Sequence, residues 1–348
     1  MYFGSDNCGP AHPDVMQALV DANAGYQASY GNDTIMEQVR DRIRAIFEAP
    51  RAAVYLVATG TAANSLALAT MAQPWQTIFC APLAHIQVDE CHAPEFYTGG
   101  SKLSLVGEGD KMTPDALSRT IQSWAAGDVH VSQRGPVSIT QVTERGHVYA
   151  LDELSALTDV ARQHRLPVHM DGARFANAIT ALECTPAQMT WAIGVDAVSF
   201  GGTKNGCLGV EAVVFFNPDH AWEFELRRKR GAHLFSKHRY LSAQMLAYLN
   251  DGLWLTLAKK SNGACARLAE GLRSLPDCHF VAEPQANLIF ATLPRATHQR
   301  LHAAGAIYGM YDGPVDNGDP DEPLMMRLVC DWSTTDEYVD RFIAAALG

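Results

Sequence analysis

Ser199-Phe200-Gly201-Gly202-Thr203-Lys204-Asn205-Gly206 decides how this chain reads. Asp196 to Phe200 is a short, largely apolar run of strand type, and it delivers Lys204 into a glycine-rich turn at its carboxyl end. Glycines on both sides let the backbone approach a neighbour or a ligand closely. A lysine held in such a turn can attack an aldehyde and carry it as a Schiff base. The rival reading is a phosphate-binding P-loop. That loop requires G-x-x-x-x-G-K-[ST], whereas here Thr203 precedes Lys204 and Asn205 follows it.

Upstream, His169-Met170-Asp171-Gly172-Ala173-Arg174 repeats the pattern of a strand ending on a charge. Pro167 to Met170 reads as the strand. A carboxylate just past a buried strand is costly without a partner. A pyridinium N–H is one such partner; a helix N-cap or an ion pair with Arg174 is the structural alternative. Further upstream, the strand Ala53 to Val57 runs into Thr59-Gly60-Thr61 and the Ala-rich helix Ala62 to Met71. The free amides and dipole at such a helix start attract phosphate. Taken alone, the same three residues are equally an ordinary turn and N-cap. In doubly wound sheets ligands gather at the carboxyl ends of strands. A phosphate turn, then a strand-end Asp171, then a strand-end Lys204 is the set that pyridoxal phosphate requires.

The surrounding pattern agrees with an α/β fold. Further strands are expected at Thr77 to Ala81, Val137 to Val142 and Glu211 to Phe216. Helices are expected at Pro13 to Asn23, Thr34 to Glu48, Leu151 to His164 and Thr185 to Ile193. Such alternation implies a mainly parallel sheet covered on both faces. The texture changes near residue 245. Leu246 to Leu275 reads as largely helical, followed by strands at His279 to Val281, Asn287 to Leu293 and Arg327 to Cys330, and a closing helix, Thr335 to Leu347. Residues 1–245 are therefore expected to form a large cofactor-binding domain, with the first dozen or so residues as an arm at the site, and 246–348 a smaller α+β domain. Pro314 to Pro323 reads as an acidic loop.

These motifs resemble the threonine aldolase / β-eliminating lyase family of fold-type I pyridoxal-phosphate enzymes, and in particular its low-specificity L-threonine and phenylserine aldolases. The resemblance rests on Ser5-Asp6-Asn7, Thr59-Gly60-Thr61-Ala62-Ala63-Asn64, Ala84-His85-Ile86, His169 to Arg174, and Thr203-Lys204-Asn205-Gly206. It implies that Gly60 and Thr61 hold the cofactor phosphate and that His85 lies over the pyridine ring. It also implies that Asp171 pairs with the ring nitrogen and that Lys204 carries the aldehyde. Ser5, Arg174 and Arg327 would bind the substrate carboxylate. Many members have Glu-Asn-Thr-His after the strand that corresponds to Val137 to Val142, with that histidine facing the substrate side chain. Here the run is Gln141-Val142-Thr143-Glu144, so Glu144 occupies the histidine position and joins His85 as a candidate base, with His147 three residues on.

The basic run Leu226 to Arg239 reads either as a solvated helix face or, by the resemblance, as a loop reaching a neighbouring subunit's phosphate through Lys237 or Arg239. The implied assembly is a homodimer or homotetramer with sites at the subunit interface, the stretch Gln27 to Asp33, with Tyr26 and Tyr30, being expected near the boundary. The implied reaction is reversible cleavage of L-threonine, L-allo-threonine or β-phenylserine to glycine and an aldehyde. β-Elimination on the same scaffold is the near alternative, and a non-catalytic pyridoxal-phosphate sensor is the alternative of a different class.

Bulk properties exclude other classes. A net charge of −11 argues against nucleic acid as a partner. No stretch approaches the roughly 18 uninterrupted apolar residues of a membrane helix. Met1 to Val15 has no leader-like apolar core, so a cytoplasmic location is expected. The eight cysteines form no C-x-x-C pair. Cys91-His92 near His85 has no fourth ligand at a usual spacing, and no metal site is expected.

Overall fold

The structure is a computed structural model describing residues 1–348. Seven strands form the main sheet: β1 (Ala53–Val57), β2 (Gln76–Cys80), β3 (Lys102–Leu105), β4 (Gln133–Thr140), β5 (Val168–Gly172), β6 (Ala197–Gly201) and β7 (Glu211–Phe215). Their order is β1-β7-β6-β5-β4-β2-β3. The pairs β2–β3, β2–β4, β4–β5 and β5–β6 are parallel, while β7 runs antiparallel to both β1 and β6. Every residue of β5, β6 and β7 is buried, as a sheet covered on both faces demands.

Register brings the motifs together. Asp171 pairs with Ser199 across β5 and β6, so Asp171 and the Lys204 turn leave the sheet at the same edge. Glu211 lies opposite Val57 on one side and Gly201 on the other, between the Thr59-Gly60-Thr61 turn and the lysine turn. The helix after β1 spans Gly60–Met71 and is buried from Ala62 onward. Its small residues Ala62, Ala63 and Ala67 let it pack against β1, β6 and β7 in a cluster with Val57, Val213 and Phe215.

A second, fully antiparallel sheet contains β8 (His279–Phe280), β9 (Leu288–Pro294), β10 (Gly309–Met310) and β11 (Pro323–Val329), ordered β10-β11-β9-β8. The amino-terminal arm stitches the two sheets. Phe3 bonds to Ile307 and Val329, and the amide of His12 reaches the carbonyl of Gly206 in the lysine turn.

Some expected boundaries move. The helical run foreseen from Leu246 starts at Arg239 and breaks after Leu249. Asp251 and Gly252 take left-handed backbone angles there, and a new helix, Leu253–Arg273, follows. Thr185 to Ile193 is one short helix, Pro186–Met189, plus a 3-10 turn, because Thr190 leaves helical geometry. The basic run is not uniformly solvated: Arg228, on the helix Ala221–Arg230, is buried against Tyr55 and donates to the carbonyl of Leu56. No helix is long and apolar enough to cross a membrane.

Candidate active site

At the carboxyl edge of the main sheet lies a cavity of about 370 Å³. Its lining includes Gly60, Thr61, His85, Asp171, Lys204 and Glu211. Residues from β1, β2, β5, β6 and β7, or from the turns that follow them, thus converge on one space.

The Thr59-Gly60-Thr61 turn is a capped helix start. Thr59 accepts from the amide of Ala62 at 3.2 Å, and its carbonyl accepts from Ala63. The amides of Gly60 and Thr61 have no intrahelical acceptor at that position, and both residues face the cavity. A Cβ built on Gly60 would meet nothing within 4 Å, so the backbone here is bare toward the cavity. The structure shows the N-cap reading of Thr59-Gly60-Thr61, and the capped helix start presents Gly60 and Thr61 to the cavity.

Lys204 sits in the 3-10 turn Thr203–Asn205. The side-chain Nδ2 of Asn205 donates to the Tyr248 hydroxyl at 2.8 Å and the Trp254 carbonyl at 2.9 Å, which fixes the turn. The glycines before the lysine serve packing within the protein. A Cβ on Gly201 would lie 2.3 Å from the carbonyl oxygen of Ala173, so the β5 and β6 exits can come together only with glycine there.

Asp171 accepts from the Ala173 amide at 3.0 Å through Oδ1 and from Asn64 at 3.0 Å through Oδ2. It forms no ion pair with Arg174. That arginine is buried and paired with Asp6, Nε to Oδ2 at 2.7 Å and Nη2 to Oδ1 at 3.0 Å. Asp6 also accepts from Asn287 at 3.1 Å. Burial works against the Asp6 carboxylate, but Arg174 and then Lys204 outweigh it and hold Asp6 below its ordinary range. The fork of Arg174 is thus engaged on two nitrogens, with Nη1 free. Arg327, on β11, donates to the carbonyl of Gly4 at 3.0 Å and keeps a buried Nε without a partner. Ser5 accepts from the Asn7 amide at 3.1 Å, and Asn7 itself lines the cavity.

His85 bonds through Nδ1 to Glu90 at 2.7 Å. Burial opposes its charged form, yet the Glu90 hydrogen bond and the charges of Asp171 and Glu144 prevail and raise its pKa. Glu144 is half-buried beyond β4, within electrostatic reach of both His85 and Arg174, and outside the cavity lining. His147 faces away onto Asp110, at 2.7 Å. Lys237 and Phe235 line an adjoining cavity of about 580 Å³ that shares Leu208 and Gly209 with the first. Arg239 is instead turned onto its own chain, donating to the Gly25 carbonyl at 2.9 Å.

Four residues of the site escaped the sequence reading as functional groups: Asp6, Asn64, Glu90 and Glu211. The first two lie inside motifs already singled out. Glu211 is buried; burial pushes its pKa up to about 7 against hydrogen bonds from Thr203 and Gly202 and the charge of Lys204. A lone acid opening the apolar run Glu211 to Phe216 is the signal that marks it. Glu90, in a mixed loop, has no such signal.

The family model of the beta-eliminating lyases matches residues 3–295. A low specificity L-threonine aldolase of Pseudomonas aeruginosa is 38% identical over 97% of this chain and 94% of its own length. One from another Pseudomonas strain is 36% identical over 98% of this chain and 96% of its own. A solved threonine aldolase of Leishmania major superposes with a TM-score of 0.92 at 24% identity, covering 99% of this chain and 98% of the other. The sheet order, the convergent lysine, aspartate and glycine turn, and a match across most of the sequence have one common reading: the chain belongs to the beta-eliminating lyase family.

Proposed function

We propose that this chain is a pyridoxal-phosphate-dependent aldolase that reversibly cleaves β-hydroxy-α-amino acids such as L-threonine, L-allo-threonine or β-phenylserine to glycine and an aldehyde. The observation that carries this reading is the meeting of Lys204, Asp171, His85 and the bare Gly60-Thr61 turn in one cavity. These residues fit the group: an amine for its aldehyde, a carboxylate for its ring nitrogen, an imidazole for its ring face and helix amides for its phosphate. When bound, pyridoxal phosphate supplies an electron sink for the bond broken at the substrate's Cα.

The protein's own residues do the rest. Arg327, with Ser5 and the free Nη1 of Arg174, clamps the substrate carboxylate, which fixes which bond at Cα faces the ring. His85, Glu144 or a water held by one of them takes the proton of the β-hydroxyl. Asp171 keeps a proton on the ring nitrogen by charge. Lys204 holds the cofactor between turnovers. Residues 1–245 act as the cofactor domain and 246–348 as the smaller domain that carries Arg327. The location is cytoplasmic.

The deciding experiment incubates the purified protein with cofactor and each of the three substrates and identifies the products. Glycine plus acetaldehyde or benzaldehyde is expected. Ammonia with 2-oxobutyrate from threonine, or with phenylpyruvate from β-phenylserine, in their place would move the activity to elimination, and no product at all would move it to sensing. Glu144→Gln is expected to lower kcat/KM for L-threonine by about 10²-fold. It should cost β-phenylserine less, because an ionised carboxylate beside a phenyl ring is itself unfavourable. Equal losses, or none, would remove Glu144 from the choice of side chain.

The active assembly is a homodimer or homotetramer in which Lys237 of one copy reaches the phosphate in another. Three features favour this: the apolar cavity beside the cofactor cavity, Lys237 on its wall, and Arg239 already engaged within its own chain. Lys204→Ala and Lys237→Ala subunits, each impaired alone, are expected to regain activity when unfolded together and co-refolded. Failure of the mixture to exceed the sum of its parts would place Lys237 outside a shared site.

A further inference from the structure

His85 is held from behind by a group that the cavity does not touch. Glu90 is 3% exposed, and its Oε1 meets His85 Nδ1 at 2.7 Å. The same oxygen accepts from Asn64 Nδ2 at 2.9 Å, and Oε2 lies 3.5 Å from the Ser65 hydroxyl. Asn64 Nδ2 also donates to Asp171 Oδ2 at 3.0 Å. One amide therefore gives both of its hydrogens to two buried carboxylates, and its own Oδ1 is buried without a partner. A ring nitrogen of His85 and one carboxylate oxygen each of Glu90 and Asp171 all lie within 4.8 Å of one another.

An imidazole that can turn over or change tautomer is a poor proton carrier, because the nitrogen facing the reaction then varies. With Nδ1 occupied by a carboxylate acceptor, that nitrogen bears the hydrogen and Nε2 is left for the cavity. We propose that Glu90 is a positioning residue: it fixes His85 with Nε2 offered to the substrate, and through Asn64 it ties that imidazole to Asp171. The bridge links the carboxylate that holds His85 to the carboxylate of Asp171. The groups that bear on His85 are Glu90, Asp171 and Glu144, and of these only Glu90 is in hydrogen-bond contact with the ring. This proposal rests on the reading of His85 as a cavity-facing group in the aldolase.

The test uses holoenzyme carrying Glu90→Gln, which keeps the volume and removes the charge. A glutamine can meet Nδ1 with its oxygen or its nitrogen, so the tautomer is no longer fixed. The expected result is a fall in kcat of about 10²-fold with KM changed far less. The acid limb of the pH–rate profile and the NMR titration of the His85 ring are both expected to move to lower pH, since the neighbouring carboxylate that favours the imidazolium is gone. Glu90→Asp, which keeps the charge on a shorter arm, should restore part of both. It also supplies the reading if the glutamine variant fails to fold, because its His85 titration should then still differ from that of the parent. An unchanged His85 titration and an unshifted pH profile in the folded variants would overturn the proposal. The NMR arm needs no turnover, so absence of aldehyde from the parent enzyme would sink the aldolase reading and leave this one to be decided separately.

Discussion

Lys204→Ala is expected to reduce aldehyde release by at least about 10⁴-fold, since the covalent hold on the cofactor is lost. The fold should survive. The turn around the lysine is held by neighbours, not by the lysine: Asn205 on Tyr248 and Trp254, the Val210 amide on the Thr203 hydroxyl at 3.2 Å, and His12 on the Gly206 carbonyl at 2.8 Å. Gly206 takes a φ of 104°, which an alanine two positions earlier does not disturb. The side chain removed is only half-buried. Thermal unfolding of the variant should therefore resemble that of the parent while its cofactor is no longer trapped by borohydride reduction. The phosphate turn and Asp171 remain, so the variant should still bind the cofactor reversibly. Normal turnover with Lys204 gone would refute the assignment of the site, and loss of folding would show that the turn depends on the amine after all.

The fold was legible because its decisive features are local. β1, β5 and β6 are short apolar runs that end on a glycine turn, an aspartate and a lysine turn, and in parallel sheets such ends collect at one edge. What the sequence conceals is pairing over long distances. Nothing near Arg174 in the chain announces that its fork is held by Asp6, far away on the arm, so a residue read as free for substrate has two nitrogens already engaged. Glu90 is hidden in the same way: its partners His85, Asn64 and, through Asn64, Asp171 come from three separate segments. The helix break at Asp251-Gly252 was readable from Asn-Asp-Gly but was outweighed by the apolar periodicity on both sides. A buried arginine such as Arg228 looks, in sequence, like its solvated neighbours.

Asp171→Asn should leave cofactor binding nearly intact and lower kcat by about 10²- to 10³-fold, the usual cost of removing one pre-positioned electrostatic group. The two residues have the same shape, and an asparagine oxygen can still accept the Ala173 amide, so the turn into the helix Phe175–Leu182 keeps its cap contact. The charge does not survive. Without it nothing in the cavity holds a proton on the ring nitrogen, because the Asn64 amide, the other polar group beside that oxygen, is itself a donor. Two donors would then face one another across 3.0 Å unless one amide turns over, and a turn of Asn64 would loosen its grip on Glu90 as well. The loss should therefore exceed that of Glu90→Gln and should include part of it: combined with Glu90→Gln, the aspartate change should cost less than the product of the two separate losses. Single and double variants assayed side by side decide this. A rate unchanged in Asp171→Asn would leave Asp171 as a cap for Ala173 alone. Fully multiplicative losses would show that the Asn64 bridge carries no coupling between the two carboxylates.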